Sequence, residues 1–254
     1  MTIQWESSAM SGKLSGKVAI VTGGSRGQGA SHVRAMVREG ARVAFTDVRV
    51  ELGKALAAEL GNAAMFIQHD VSKPQDWDRV VAATEAAFGP INILVNNAGI
   101  VFLKELQEMT FEEYERVIAV NQTSVFLGMK AVLASMRRAA GGSIINISSA
   151  AAHKGIRGNL AYTAAKAAIG GMGRVAALEL TADNIRVNTV LPGIIRTPMV
   201  DEPDADRVAA MIEGIPVKRL GSPAEVSNLI VYLASDDSSY STGSEFVVDG
   251  GILA

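Results

Sequence analysis

Tyr162 and Lys166 stand four residues apart in Ala161-Tyr162-Thr163-Ala164-Ala165-Lys166, a stretch whose pattern reads as helix. Residues i and i+4 share a helix face, so the ammonium can sit beside the phenol. A positive neighbour favours phenolate and lowers a tyrosine pKa from about 10 toward the working range. A phenol tuned this way can pass a proton to or from a substrate oxygen. The spacing alone arises by chance on many helices, so its weight depends on the rest of the chain.

The surrounding chain alternates strand and helix. Short runs rich in Val and Ile read as strands at 17–22, 42–47, 64–70, 93–96, 143–147, 186–191 and 245–248. Helical patterns fall at 29–39, 52–60, 74–88, 111–138, 160–181 and 223–233. Several strands are apolar throughout, the mark of strands covered on both faces. The alternation implies an α/β fold: a single Rossmann-type doubly wound parallel sheet of about seven strands, helices on both faces. Ser72-x-x-Gln75, Thr110-x-x-Glu113 and Ser222-x-x-Glu225 read as capping boxes at three helix starts. No linker or internal repeat divides residues 14–254, which read as one catalytic domain after a flexible leader at 1–13. The least regular stretch carries Pro192, Pro198, Pro203 and Pro216, with a short helix expected at 204–213. Long irregular loops often cover sites, and 194–220 is read as a substrate lid.

Composition narrows the chemistry. Of 254 residues, 48% are hydrophobic, enough for a large core, and the net charge of −2 gives no footprint for nucleic acid. There is no cysteine, which removes disulfides, thiolate zinc sites and cysteine nucleophiles. His32, His69 and His153 are not spaced as metal ligands, so no metal site is expected. No uninterrupted apolar run approaches about 18 residues, and no signal pattern opens the chain. A cytoplasmic protein without membrane partners is the expectation.

After the first strand comes Thr22-Gly23-Gly24-Ser25-Arg26-Gly27-Gln28-Gly29, then a helix. Gly23 permits a tight turn, Gly27 lets a pyrophosphate approach the backbone, and Gly29 allows close packing of helix on sheet. The helix N-terminus then offers N–H groups to phosphates. Asp47 ends the second strand, 18 residues beyond Gly29. A carboxylate there can accept from the adenosine ribose hydroxyls and repel a 2′-phosphate, which favours NAD over NADP. Arg26 and Arg49 argue the other way, since either could hold a 2′-phosphate. Asp70 ends the third strand, where its side chain or Val71 could meet the adenine edge.

Together these motifs resemble the short-chain dehydrogenase/reductase family. The match runs from Leu14 to Asp249-Gly250-Gly251 through Thr22-Gly23-x-x-x-Gly27-x-Gly29, Asp70-Val71, Asn96-Asn97-Ala98-Gly99, Asn121, Ser149, Tyr162-x-x-x-Lys166 and Pro192-Gly193 followed by Thr197. Among members it is most similar to bacterial NAD-dependent hydroxysteroid dehydrogenases of the 3α/20β type, a likeness that Gly142-Ser143-Ile144-Ile145-Asn146-Ile147-Ser148-Ser149-Ala150-Ala151 supports. The resemblance implies Tyr162 as general acid in reduction and base in oxidation. Lys166 would lower the Tyr162 pKa and bond the nicotinamide ribose, and Ser149 would polarise the substrate oxygen. Asn121 would bend its helix and hold a water leading from Lys166 to solvent. Ser25, Arg26, Gln28 and Ala98 would join the glycines and Asp47 around the cofactor. Asn97 and Gly99 would line the adenosine side, with Asn97 also a structural hydrogen-bonder. Thr197 and the Ile195 backbone would hold the carboxamide, with Pro192 and Gly193 turning under the ring. Gln28 departs from the branched apolar residue usual there.

By the same likeness, Ala151, Asn159, Ile194 and Met199 join Ser149 and Tyr162 at the substrate, in a mainly apolar wall. That suggests a hydrophobic secondary alcohol or ketone. The small residues of 160–180 could pair helices between subunits, as in the family's dimers and tetramers, and a homotetramer is expected. An NADPH-dependent 3-oxoacyl-carrier-protein reductase shares most of these motifs, and Asp47 argues against it. A dinucleotide-sensing regulator without chemistry would not need Asn121, Ser149, Tyr162 and Lys166 together.

Overall fold

The structure, a computed structural model, describes residues 12–197 and 205–254. Its strands are β1 (Val18–Thr22), β2 (Arg42–Asp47), β3 (Ala64–Gln68), β4 (Ile93–Asn96), β5 (Gly142–Ile147), β6 (Ile185–Pro192) and β7 (Glu245–Val248). They form one sheet in the order β3-β2-β1-β4-β5-β6-β7, parallel at every seam. The chain works outward from β1 to β3, then returns to β4 and works outward to β7 on the other side. The reversal between β1 and β4 is a topological switch point, where a crevice opens beyond the strands' carboxyl ends.

The helices are α1 (Gly27–Arg38), α2 (Val50–Leu60), α3 (Pro74–Phe88), α4 (Phe111–Ile118), α5 (Ser124–Arg138), α6 (Leu160–Leu180), α7 (Ala205–Glu213) and α8 (Pro223–Ala234). Alternate strand residues serve opposite faces, as the pleat requires. Ala19, Val21, Val43, Phe45 and Ile145 pack with Val33 and Met36 of α1 and Val226 and Ile230 of α8. Val18, Ile20, Ala44, Leu94 and Ile144 pack with Trp77 of α3, Val132 and Met136 of α5, and Ile169 of α6. Each fully buried side chain of this kind gains roughly 1.5–3 kcal/mol from leaving water, so the sheet is held mainly by these two layers.

The structure differs from the sequence reading at several boundaries. The first strand begins at Val18 and the third ends at Gln68, short of Asp70. The helix expected at 111–138 is two helices joined by a π turn, Ala119–Thr123. By length and apolar content these 28 residues could cross a bilayer, but Val125, Met129, Val132 and Met136 lie in the core of this domain. The capping boxes at Thr110 and Ser222 form. The one at Ser72 does not: its hydroxyl and N–H both donate to Asp70 Oδ1, at 2.7 and 3.1 Å. A carboxylate two residues away outcompetes the helix for that hydroxyl, and Lys73 becomes the N-cap. Gly12 and Lys13, read as the end of a leader, are packed on the fold. A Cβ on Gly12 would meet the Glu39 carbonyl at 2.3 Å, and Lys13 pairs with Asp237 at 2.6 Å.

Candidate active site

The glycine turn leaves β1 at Thr22 and folds back tightly. Gly23 has φ +63°, where a side chain is strained, and a Cβ there would stand 2.9 Å from the Ala98 backbone. Gly29 is more constrained still: its Cβ would lie 2.0 Å from the Gly23 carbonyl oxygen and 2.7 Å from Asn97 Nδ2. The third glycine therefore lets the helix pack on the turn itself, rather than on the sheet as its sequence position suggests. The Asn97 amide donates to the Thr22 and Gly23 carbonyls at 2.8 and 3.2 Å. The Thr22 hydroxyl accepts from the N–H groups of Asn97 and Ala98, both at 3.0 Å. Asn97 thus staples the end of β4 to the turn.

This turn fits a dinucleotide pyrophosphate. Helix α1 starts with no acidic residue in its first turn and no side-chain cap from Arg26, leaving its first N–H groups for an anion. Ser25 is 8% exposed, and its Oγ and Gln28 Oε1 are buried without partners among the described residues. Buried polar atoms usually find partners, and a phosphate and its sugar hydroxyls are suited to these two. Asp47 stands beside them. Its Oδ2 accepts from Ser25 N–H at 3.2 Å and its Oδ1 from Arg49 N–H at 3.0 Å, with a lone pair left on each oxygen. Neither Arg26 nor Arg49 forms an ion pair among the described residues. Asp70 is occupied with Ser72, and the carbonyl of buried Val71 accepts from Trp77 Nε1 at 3.0 Å.

Beyond β4 the chain reaches a second cluster. Asn121 is fully buried in the π turn, and its amide pairs with the Ile100 backbone in both directions, at 2.8 and 2.7 Å. The helix is interrupted at Asn121 as the family likeness implies, while both ends of the amide are committed to Ile100. Gly99 lies on this side too, not the adenosine side: its Cβ would meet Asn121 Oδ1 at 3.0 Å and Lys166 Nζ at 3.6 Å.

Tyr162 and Lys166 sit on α6, one turn apart, as the spacing predicts. Lys166 is 3% exposed; its Nζ donates to the Ile147 carbonyl at 2.7 Å and stands 5.7 Å over the Tyr162 ring. Ser148 fixes the helix by donating to the Lys166 carbonyl at 2.7 Å. Ser149 caps the 3-10 turn Ala150–Ala152, accepting from the N–H of buried Ala151 at 3.1 Å, and its hydroxyl is near enough to the Tyr162 phenol to favour the phenolate. Burial raises the Tyr162 pKa above 10.0 and outweighs the Ser149 hydrogen bond, which lowers it. Burial also pulls Lys166 down, to about 8. The expected lowering of the phenol by Lys166 is therefore not found. The ammonium faces the ring and the Ile147 carbonyl, and desolvation dominates both groups.

The segment after β6 crosses the same crevice. Gly193 N–H donates to the Val248 carbonyl at 2.9 Å, and a Cβ on it would strike the Asp249 backbone at 2.6 Å. Gly221 pins the residues from Ile194 to Arg196: its N–H donates to the Ile194 carbonyl at 3.0 Å, and its carbonyl accepts from Arg196 N–H at 2.8 Å. Buried Ile195 is held in this way, and the sequence offered no pattern linking Gly221 to it. Pro192 ends β6. Asn159 precedes α6 with 8% exposure and a buried Oδ1 that lacks a partner among the described residues. Met199, expected at the substrate, lies outside the described residues.

A glycine turn at a switch point, facing a serine, tyrosine and lysine at the ends of β5 and α6, defines a dinucleotide-binding oxidoreductase scaffold. The chain belongs to the short-chain dehydrogenase/reductase family, oxidoreductases acting on CH–OH groups: a family model described as enoyl-(acyl carrier protein) reductase matches residues 23–253. It is 51% identical over 248 residues to a 3-alpha-(or 20-beta)-hydroxysteroid dehydrogenase of Mycobacterium tuberculosis, covering 96% of this chain and 92% of the relative. It is 40% identical over 251 residues to an NADP-dependent (R)-specific alcohol dehydrogenase of Lentilactobacillus kefiri, covering 96% and 100%. A 3-beta-hydroxysteroid dehydrogenase of Comamonas testosteroni is 39% identical over 251 residues, covering 96% and 98%.

Proposed function

We propose that the protein is an NAD(H)-dependent enzyme that interconverts a hydrophobic secondary alcohol and its ketone. The observation that carries this reading is Tyr162 one helical turn from the buried Lys166 ammonium, which stands 5.7 Å over its ring and donates to the Ile147 carbonyl two residues before Ser149, in the crevice that the glycine turn borders. A bound nicotinamide supplies the hydride in reduction and accepts it in oxidation. Ser149 O–H holds and polarises the substrate oxygen. Tyr162, kept protonated by burial, gives its proton to that oxygen in reduction. In oxidation the phenol must lose its proton first, and charged Lys166 is the neighbour that stabilises the anion. Asn121 and Gly99 shape the floor beneath Lys166. Gly23, Ser25, Gly27, Gln28 and Gly29 cradle the pyrophosphate. Gly193, Ile195 and Thr197 face the carboxamide.

Asp47 supports NAD, because its free lone pairs suit two ribose hydroxyls and its charge repels a 2′-phosphate. Arg26 and Arg49, without ion pairs among the described residues, and an NADP-dependent relative keep an NADPH-dependent 3-oxoacyl-carrier-protein reductase as the second reading. The hydroxysteroid-named relatives and buried apolar Ala151 put cyclic and steroid ketones first as substrates. Association into a homotetramer is supported by apolar side chains left exposed along one helical layer: Phe111 on α4, Phe126 on α5, Val175 and Leu178 on α6. The small residues of α6 divide otherwise than expected, since Gly170 and Gly173 are spent against the protein's own sheet.

The test is NADH against NADPH oxidation with cyclic, aryl, steroid and 3-oxoacyl thioester ketones, alongside Tyr162→Phe. Turnover confined to NADH and hydrophobic ketones, reduced about 10²–10⁴-fold by Tyr162→Phe with NADH still bound, is the expected result. Preference for NADPH with the thioester would favour the second reading. Cofactor binding without turnover of any ketone would mean a sensor.

A further inference from the structure

Four elements meet at Glu245. The backbone from Ser149 to His153 is one hydrogen-bonded turn, with Ala152 N–H donating to the Ser149 carbonyl and His153 N–H to Ala150, at 2.9 and 3.1 Å. At its end, His153 Nε2 donates to Glu245 Oε2 at 2.6 Å. Glu245 opens β7 and pairs in register with Thr189 of β6. Its Oε1 accepts from Arg174 of α6 at 2.9 Å. The same oxygen lies directly on α6, where a Cβ at Gly170 would stand 2.0 Å from it. Gly170 is thus the space in which the carboxylate sits. Eight residues separate it from Tyr162, about two helical turns, and Ser148, next to Ser149, donates to the Lys166 carbonyl of the same helix at 2.7 Å. The contacts close a ring: α6, Ser148 and Ser149, the turn to His153, Glu245, and back to α6.

We infer that Glu245 is a positioning residue: it latches the Ser149–His153 turn to α6 and so sets the Ser149 hydroxyl against the Tyr162 phenol. This rests on the catalytic reading of Ser149 and Tyr162 given above. The ion pairs are partly exposed, and pairs of that kind add little stability. Their consequence lies in geometry, where small displacements of a reacting group cost rate steeply.

Glu245→Ala removes the latch, and Gly170→Ala expels the carboxylate without removing its charge. Each is expected to lower kcat about tenfold. The KM for NADH is expected to stay within about twofold, and the melting temperature close to wild type. Glu245→Gln, which keeps an acceptor for His153, recovers most of the rate. His153→Ala with Glu245→Ala costs no more than the worse single change, because both break one link. Full kcat in both Glu245→Ala and Gly170→Ala overturns the inference. So does a lower melting temperature with kcat intact, which would make Glu245 a strut of the sheet edge, or strictly additive losses in the double variant. Tyr162→Phe in the same assay separates the two layers. Turnover that survives it removes the catalytic reading and the latch with it, whereas its loss beside unaffected Glu245 variants removes only the latch.

Discussion

Lys166 illustrates how burial reshapes a single residue. Among the described residues its ammonium has one hydrogen-bond partner, the Ile147 carbonyl, and burial holds its pKa at about 8 against 10.5. Between those values the unfolded chain carries a proton that the folded chain has released, so stability rises with pH across that window and is lowest below about 8. Lys166→Met is expected to abolish the slope. Its melting temperature at pH 7 should equal or exceed wild type, while turnover falls about 10²–10⁴-fold. Thermal scans of cofactor-free protein from pH 7.5 to about 10 read it, and a flat wild-type curve would contradict a desolvated ammonium. The Tyr-x-x-x-Lys spacing was legible in the sequence and put both groups on one face. The direction of the tyrosine shift was not, because desolvation depends on the tertiary packing around the phenol.

At the scale of elements, the π turn at Ala119–Thr123 is what joins the nucleotide side of the crevice to Lys166. Asn121 holds it by clamping Ile100, and Gly99 fits beside the amide because it has no Cβ. Asn121→Ala would remove the partner that Asn121 gives to the part-buried N–H and C=O of Ile100. The expected cost is roughly 1–3 kcal/mol for each orphaned group, read as a lower urea midpoint with an unchanged m-value. Asn121→Asp, which can still accept from Ile100 N–H, should fall between. Equal midpoints in all three proteins would show that the helix breaks there for another reason. The sequence marked 111–138 as continuously helical because apolar periodicity runs through it. A π turn adds one residue per turn without leaving a pattern, so only packing against Ile100 exposes it. The failed cap at Ser72 has a similar origin, since two acceptors competed and the nearer carboxylate won.

For the whole molecule, two buried histidines that the reaction does not use are expected to make the fold sensitive to acid. His32 lies under α8 with Nδ1 bonded to Ser227 Oγ at 2.8 Å, and burial pulls its pKa to about 3. His69 bonds Thr46 at 3.1 Å and is pulled to about 4, again chiefly by burial. Below 6.5 the unfolded chain binds protons that these folded histidines refuse, so stability falls as pH drops from 6.5 toward about 4. Carboxylates held low, such as Glu225 at about 2 beside Arg219, stabilise the fold above the ordinary value of 4.5 and lose that effect only as pH falls below it. The window from 6.5 to 4.5 therefore belongs to the histidines. His32→Leu and His69→Leu should each flatten the fall of the urea midpoint there. A wild-type midpoint that is level across that range would show that neither imidazole stays neutral on folding.

The sequence by itself determined the parallel sheet, because strands apolar on both sides must be covered by the helices between them. It also determined the glycine turn and the Tyr162–Lys166 pair, because each is local: a turn needs glycine at set positions, and a helix brings i and i+4 together. Only the tertiary structure decided what each local device faces. Gly29 serves the turn, Gly170 makes room for Glu245, Gly221 holds Ile194 and Arg196, and His153 reaches the sheet edge. Those partners lie 6 to 92 residues away along the chain. Their meeting is set by how the two layers pack on the sheet, which leaves no spacing to read.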